Sequence, residues 1–292
     1  MKSSKWTTLS RCLLLVLVIL LVTAGVTHVT RSNLKAPADD LEEIYESGNP
    51  HVEALKVAEY EANLPQDNKG KRLLENEGRS KKPASNNQYS EVITNAQKSA
   101  MALLDTEAGW TKKRGDSLDG EGLVYTRTAE GDTVFKLEGN IDIDALTLYE
   151  DMAMKPQEVA TWNTNVVEQR VLEKVDNSSD IVYSLSRKSI VSNRDFVFIR
   201  HWEKKDEWYL VSSVSVTHPS KPEDPNYVRA EQKPTVIRMK EIGPNKLRLE
   251  WLLHVDLNLS VPMMFVKSSL LQAMTTFLKD LRGHAAALLS HT

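Results

Sequence analysis

The stretch PMMFVKSSLLQAMTTFLKDL, Pro262 to Leu281, constrains this chain more than any other. Met264, Leu270, Leu271, Met274, Phe277, Leu278 and Leu281 recur at helical spacing, and Pro262 suits a first helical turn. The apolar stripe is too wide for an exposed helix, so another element must cover it. Upstream the chain alternates apolar and polar residues over long runs, as in GLVYTRTAEGDTVFKLEGNID and RDFVFIRHWEKKDEWYLVSSVSVT. Turn-forming residues interrupt these runs at Glu130 to Asp132, Asp176 to Ser179, Lys204 to Glu207 and Gly243 to Asn245. An α+β architecture follows: one long antiparallel meander, curved, with the terminal helix laid across its concave face.

Three further helices are expected. SEVITNAQKSAMALLD has Val92, Ile93, Ala96, Ala100, Leu103 and Leu104 at helical spacing behind Ser90 as N-cap. DIDALTLYEDM and KPQEVATWN are short, the second with Pro156 in its first turn. The formal net charge is −3 and there is no basic block, which excludes a nucleic-acid partner. The one cysteine, Cys12, allows neither an intrachain disulfide nor a cysteine metal site. The histidines lack metal-ligand spacing, so no metal and no cofactor are expected, and the chain reads as a monomer.

The amino-terminal part divides by composition. Residues 1–11 form a short basic tail, and residues 12–29 contain the apolar run CLLLVLVILLVTAGV. That run reads as a single-pass membrane anchor, with a cleaved signal peptide and secretion as the alternative; its flanking charges leave the side of the membrane open. Residues 30–89 are a polar, mostly disordered linker, and residues 90–292 form the folded domain.

In SNRDFVFIRHW an arginine, Arg200, shares one strand face with Phe196 and Phe198, while Val197, Ile199 and His201 share the other. Arg194 and Asp195 read as a structural ion pair closing the loop before that strand. Gly115 to Leu118 spells GDSL, the nucleophile block of a lipase family. The partner blocks are missing, and Asp280 and His284 have the wrong spacing, so no catalytic residue is assigned and hydrolysis through Ser117 is a remote alternative.

Several short pieces then occur in a telling order: Gly109-Trp110, Trp162-Asn163, RDFV at Arg194 to Val197, YVRAE at Tyr227 to Glu231, WLLHVDL at Trp251 to Leu257, and the proline-started terminal helix. Over about Ser90 to Ala287 the chain resembles START domains, nearest their sterol-binding branch. The resemblance implies a helix-grip fold with an internal lipid tunnel, lipid carried between membranes without catalysis, and a bilayer as the surface it works on. It also implies that Arg200 points inward toward the lipid's polar end. In that branch the arginine pairs with an acidic residue on the preceding strand, a position that aligns here with Ser184. A buried guanidinium without a carboxylate needs another acceptor, so this departure keeps phospholipid or fatty acid, and a sensor that binds without transferring, beside the favoured sterol. Trp162, Leu271, Met274 and Phe277 are the expected apolar lining, from strand and helix phase. Leu259 stands where the family often has a glycine before the last helix, which restricts a hinge there.

Overall fold

In a computed structural model, residues 86–113, 122–187, 193–259 and 266–290 are described. The apolar run at 12–29, the linker up to residue 85, the GDSL block and Pro262 lie outside them, while residues 86–89, expected as the end of that linker, are helical.

The first helix, α1, spans Asn86–Asp105 and begins a turn before the expected cap, so Ser90 lies inside it and its carbonyl accepts from the Thr94 hydroxyl at 2.7 Å. Its buried stripe is Tyr89, Ile93, Ala96, Ala100 and Leu104. After β1 (Thr111–Lys113) come β2 (Gly122–Ala129) and β3 (Asp132–Ile141). Glu130 and Gly131 join β2 and β3 with φ of 54° and 87°. That two-residue left-handed turn matches the twist of a hairpin.

The helix α2 (Ala145–Met154) is capped by Asp144, whose carboxylate accepts from the Thr147 N–H at 2.9 Å. A 3₁₀ turn at Pro156–Glu158 leads into α3 (Val159–Trp162). Then follow β4 (Val166–Asp176), β5 (Ser179–Ser186), β6 (Arg194–Lys205) and β7 (Trp208–Ser215). The short strands β8 (Val228–Arg229) and β9 (Glu231–Gln232) precede β10 (Thr235–Gly243), β11 (Lys246–Leu253) and β12 (Val255–Asp256). The last helix, α4, spans Lys267–Ser290.

The strand order is β1-β2-β3-β11-β10-β7-β6-β5-β4, with every neighbouring pair on this path antiparallel. The expectation of a simple meander is therefore corrected at one place. The chain leaves β3 through α2 and α3, starts again at the far edge with β4, and walks back until β11 pairs with β3. Alternation within strands predicts hairpins but carries no information about which hairpins meet.

The two faces of the sheet are covered by different helices. α1 lies on the outer face, where Tyr89 and Ile93 meet Ile181, Tyr183, Val197 and Ile199, and Ala100 and Leu104 meet Val134, Leu210, Val236 and Leu252. α4 lies on the inner face, where Met274, Phe277, Leu278 and Leu281 join Leu137, Ile141, Leu247 and Leu249. Gly139 marks a close approach: a Cβ there would stand 2.7 Å from Leu278 Cδ2.

The hinge reading of Leu259 changes. Leu259 is buried with Ala230, Val255, Leu257 and Val266, and the left-handed backbone sits one residue earlier, at Asn258 with φ 47°. Asparagine tolerates that conformation well, so the bend does not require glycine at 259.

Candidate functional site

β6 alternates as the sequence predicts. Val197 and Ile199 face α1, which leaves Phe196, Phe198, Arg200 and Trp202 on the inner face. Register places Arg200 opposite Asp180 of β5. The guanidinium grips that carboxylate in a bidentate fork, Nε to Oδ1 and Nη2 to Oδ2, both at 2.8 Å. Arg200 is 5% exposed and Asp180 is fully buried.

Two more acceptors come from α2. Arg200 Nη1 donates to the Met152 carbonyl at 2.9 Å and Nη2 to the Ala153 carbonyl at 3.0 Å. These carbonyls belong to the last turn, where a helix lacks internal donors and carries partial negative charge, so the cation satisfies both. The Trp202 ring lies 5.3 Å from the guanidinium and 5.0 Å from the Lys174 ammonium. Lys174 also reaches Asp180 Oδ2 at 3.2 Å. Guanidinium has five N–H groups; these contacts use four, leaving one on Nη1.

The alignment of the acidic partner with Ser184 is thereby corrected: the carboxylate comes from Asp180. Ser184 is buried on the same face but opposite Phe196. It lies four positions along β5 from Asp180, about 13 Å at the usual rise. The reading of Arg194 and Asp195 as one ion pair is corrected too. Neighbours on a strand point to opposite faces. Asp195 is gripped by Arg229, Nε at 3.0 Å and Nη2 at 2.8 Å, whereas Arg194 Nε donates to the Leu257 carbonyl at 3.2 Å. The first contact joins β6 to β8, and the second joins β6 to the segment leading toward α4.

Trp162, Leu271, Met274 and Phe277 gather in one apolar cluster under α4. Met274 and Phe277 are buried, Trp162 and Leu271 half-buried. The Trp162 ring stacks on His284 at 5.0 Å and tilts against Phe277 at 6.0 Å, and Phe277 meets Trp251 at 4.6 Å. Met152 belongs to the same cluster, which therefore extends to the residue whose carbonyl holds Arg200. Burial raises the Tyr149 hydroxyl above its ordinary pKa, with the Glu203 charge adding to it, so the phenol stays neutral beside Tyr209.

Packing under α4 is uneven. At the β3 and β11 end, Leu137, Leu247, Leu249, Leu278 and Leu281 are wholly buried. Toward the first turns of α4, Phe196, Ile237, Trp251, Leu253, Leu270 and Leu271 stay half-buried although they lie on or against the inner face. The inner face is thus less tightly covered at this end than at the other.

Sequence reading missed Asp180, the carbonyls of Met152 and Ala153, Lys174, and a contact between His284 and Asp151 at 2.6 Å. One signal was present: a lone aspartate entering the apolar run DIVYSL needs a buried partner. Asp280 and His284, weighed with the GDSL block, are engaged separately, Asp280 by the Thr164 N–H at 2.8 Å and hydroxyl at 2.6 Å.

Comparison with known proteins places this geometry in context. The START domain family model matches residues 91–291. The curated "Steroidogenic acute regulatory protein, mitochondrial" of Danio rerio is 29% identical over 204 residues, covering 68% of this chain and 71% of that protein. Its Homo sapiens counterpart is 28% identical over 199 residues, 66% of this chain and 70% of that protein. Human StAR-related lipid transfer protein 5 superposes with TM-score 0.64 at 19% identity, over 69% of this chain and 98% of that one. Human STARD10 gives 0.54 at 21% identity, over 73% and 87%.

Proposed function

The chain belongs to the START domain family, and from that premise we propose that it binds one lipid between the inner sheet face and α4 and moves it between membranes, with a sterol as the favoured cargo. The observation that carries the choice of cargo is the state of Arg200. Asp180 already fills its fork, so a phosphate or carboxylate head would have to displace a buried carboxylate. One N–H remains, and a single neutral hydroxyl matches it. The half-buried Phe196, Ile237, Trp251, Leu253, Leu270 and Leu271 supply an apolar wall for a rigid hydrocarbon. Burial of such a body at about 25 cal/mol per Å² supplies most of the free energy.

Arg200 therefore acts as the polar selector, and Asp180 fixes its direction. Ser184, Trp162, Leu271, Met274 and Phe277 line the space as apolar and weakly polar walls. The apolar run at residues 12–29 tethers the domain to a membrane, so that extraction and delivery happen at short range.

The reading is tested with the full chain reconstituted in vesicles. Dehydroergosterol should leave donor vesicles for acceptor vesicles faster than in protein-free controls, and mass spectrometry of co-purified lipid should find sterol. Binding without accelerated transfer would replace transport by sensing, and a phospholipid as the bound species would overturn the cargo.

A further inference from the structure

Three consecutive residues at the end of α2 face two different structures. Asp151 Oδ2 accepts from His284 Nε2 of α4 at 2.6 Å, and Lys155 Nζ stands 3.1 Å from Oδ1. The two side chains of the pair are 12% exposed for His284 and 6% for Asp151. The imidazole lies nearly parallel to the Trp162 ring, at 13° and 5.0 Å. Such a buried contact between two helices has no part in holding Asp180 or Arg200 directly. The next two residues, Met152 and Ala153, are the ones whose carbonyls accept from Arg200.

A helical turn moves as a unit, because each residue rises only 1.5 Å and its backbone bonds are shared with the turn below. Lys155 N–H closes this turn on the Asp151 carbonyl at 3.0 Å. A shift of Asp151 therefore carries the carbonyls of Met152 and Ala153 with it, and hydrogen bonds near 2.9 Å weaken within a few tenths of an ångström. On the α4 side, His284 is one of several ties along the helix. Thr164 holds Asp280 and Arg282 Nε donates to the Asn140 carbonyl at 3.1 Å in the same half, and Asn165 Nδ2 donates to the Ala273 carbonyl at 3.0 Å in the first half.

We propose that His284 and Asp151 are positioning residues: their contact ties α4 to the last turn of α2, so the placement of α4 sets how Arg200 presents its remaining N–H to the lipid. The proposal rests on the sterol reading above. Coupling of this kind is reciprocal, so a lipid engaging Arg200 also favours the seated position of α4.

The test compares wild type, His284→Leu and His284→Gln in the full chain, with cholesterol and with cholestane, which lacks the 3-hydroxyl, as probes. The wild type should prefer cholesterol. His284→Leu should lose about tenfold of that preference, the size of one charge-assisted hydrogen bond, with cholestane affinity unchanged. His284→Gln, which keeps a donor for Asp151, should restore it. A preference unchanged in His284→Leu would leave the pair a purely structural contact and overturn the proposal. If the wild type itself shows no preference, the sterol reading fails, and a lipid-free measurement decides the coupling. Exchange of the Arg200 Nη–H protons, which the Met152 and Ala153 carbonyls hold, followed by ¹⁵N NMR, should quicken in His284→Leu; equal rates would refute it.

Discussion

Replacing Arg200 by leucine tests whether the arginine is primarily a partner of Asp180. The single variant strands a fully buried carboxylate, leaving it Lys174 at 3.2 Å as a charged partner. It also removes the donors from the carbonyls of Met152 and Ala153. Breaking a buried pair by removing one member costs about 3–5 kcal/mol. The Lys174 contact, on a side chain 56% exposed, offsets little of this. Stability should fall by about 3 kcal/mol or more, and the melting midpoint by roughly 6–12 °C for a domain of this size. The double variant Arg200→Leu with Asp180→Leu keeps the cost of the two carbonyls but removes the stranded charge. It should therefore be more stable than Arg200→Leu alone by about 2 kcal/mol. Urea unfolding of wild type, both single variants and the double variant measures that coupling. A double variant no more stable than Arg200→Leu would show that Asp180 does not depend on the arginine, and the reasoning about the site would fail. Because the single variant conflates folding with binding, lipid selectivity is best compared in the double variant.

Gly139→Ala should destabilise the domain by about 1–3 kcal/mol in urea unfolding, since its Cβ would meet the wholly buried Leu278 at 2.7 Å, and trimming Leu278 to valine in the same chain should recover part of the loss. Burial, with the Asp195 charge adding to it, pushes the Tyr183 phenol from 10.0 up to about 12. The raised folded-state value means that this contribution to stability is complete below 10.0 and is lost as pH rises toward 12, because the unfolded chain ionises first. Urea midpoints at about pH 9 and about pH 11 should therefore differ less in Tyr183→Phe than in wild type, and an identical difference would show that Tyr183 does not titrate this way.

How far the fold could be read from sequence differed between its elements. The hairpin turns at Glu130, Asn177, Asp206 and Asn245 were legible because left-handed or tight backbone demands particular residues. So was the inward face of β6, since a two-residue period sorts Phe196, Phe198 and Arg200 from Val197 and Ile199. The pairing of β3 with β11 was not legible. It depends on where α2 and α3 deliver the chain, a long-range outcome that neither period nor turn chemistry encodes. The start of α1 was misplaced for a local reason: Ser90 resembles a cap but bonds within the helix through its carbonyl.

The candidate site shows the same boundary at finer scale. A linear alignment across the loop between β5 and β6 slides by whole residues, and four residues of error turned Asp180 into Ser184 without changing the strand face. Both readings keep an inward arginine and favour a sterol, but only one leaves an anionic head as a match. With Ser184 opposite it, the guanidinium would seek an anion; with Asp180 gripping it at 2.8 Å, it has one N–H to give. Chemistry at this site is thus set by register, and register is fixed by burial, because a shift of the β5–β6 pairing would carry Asp180 away from the only guanidinium bonded to it among the described residues. The same buried pair proposed to select the lipid would in this way hold β5 in place against β6.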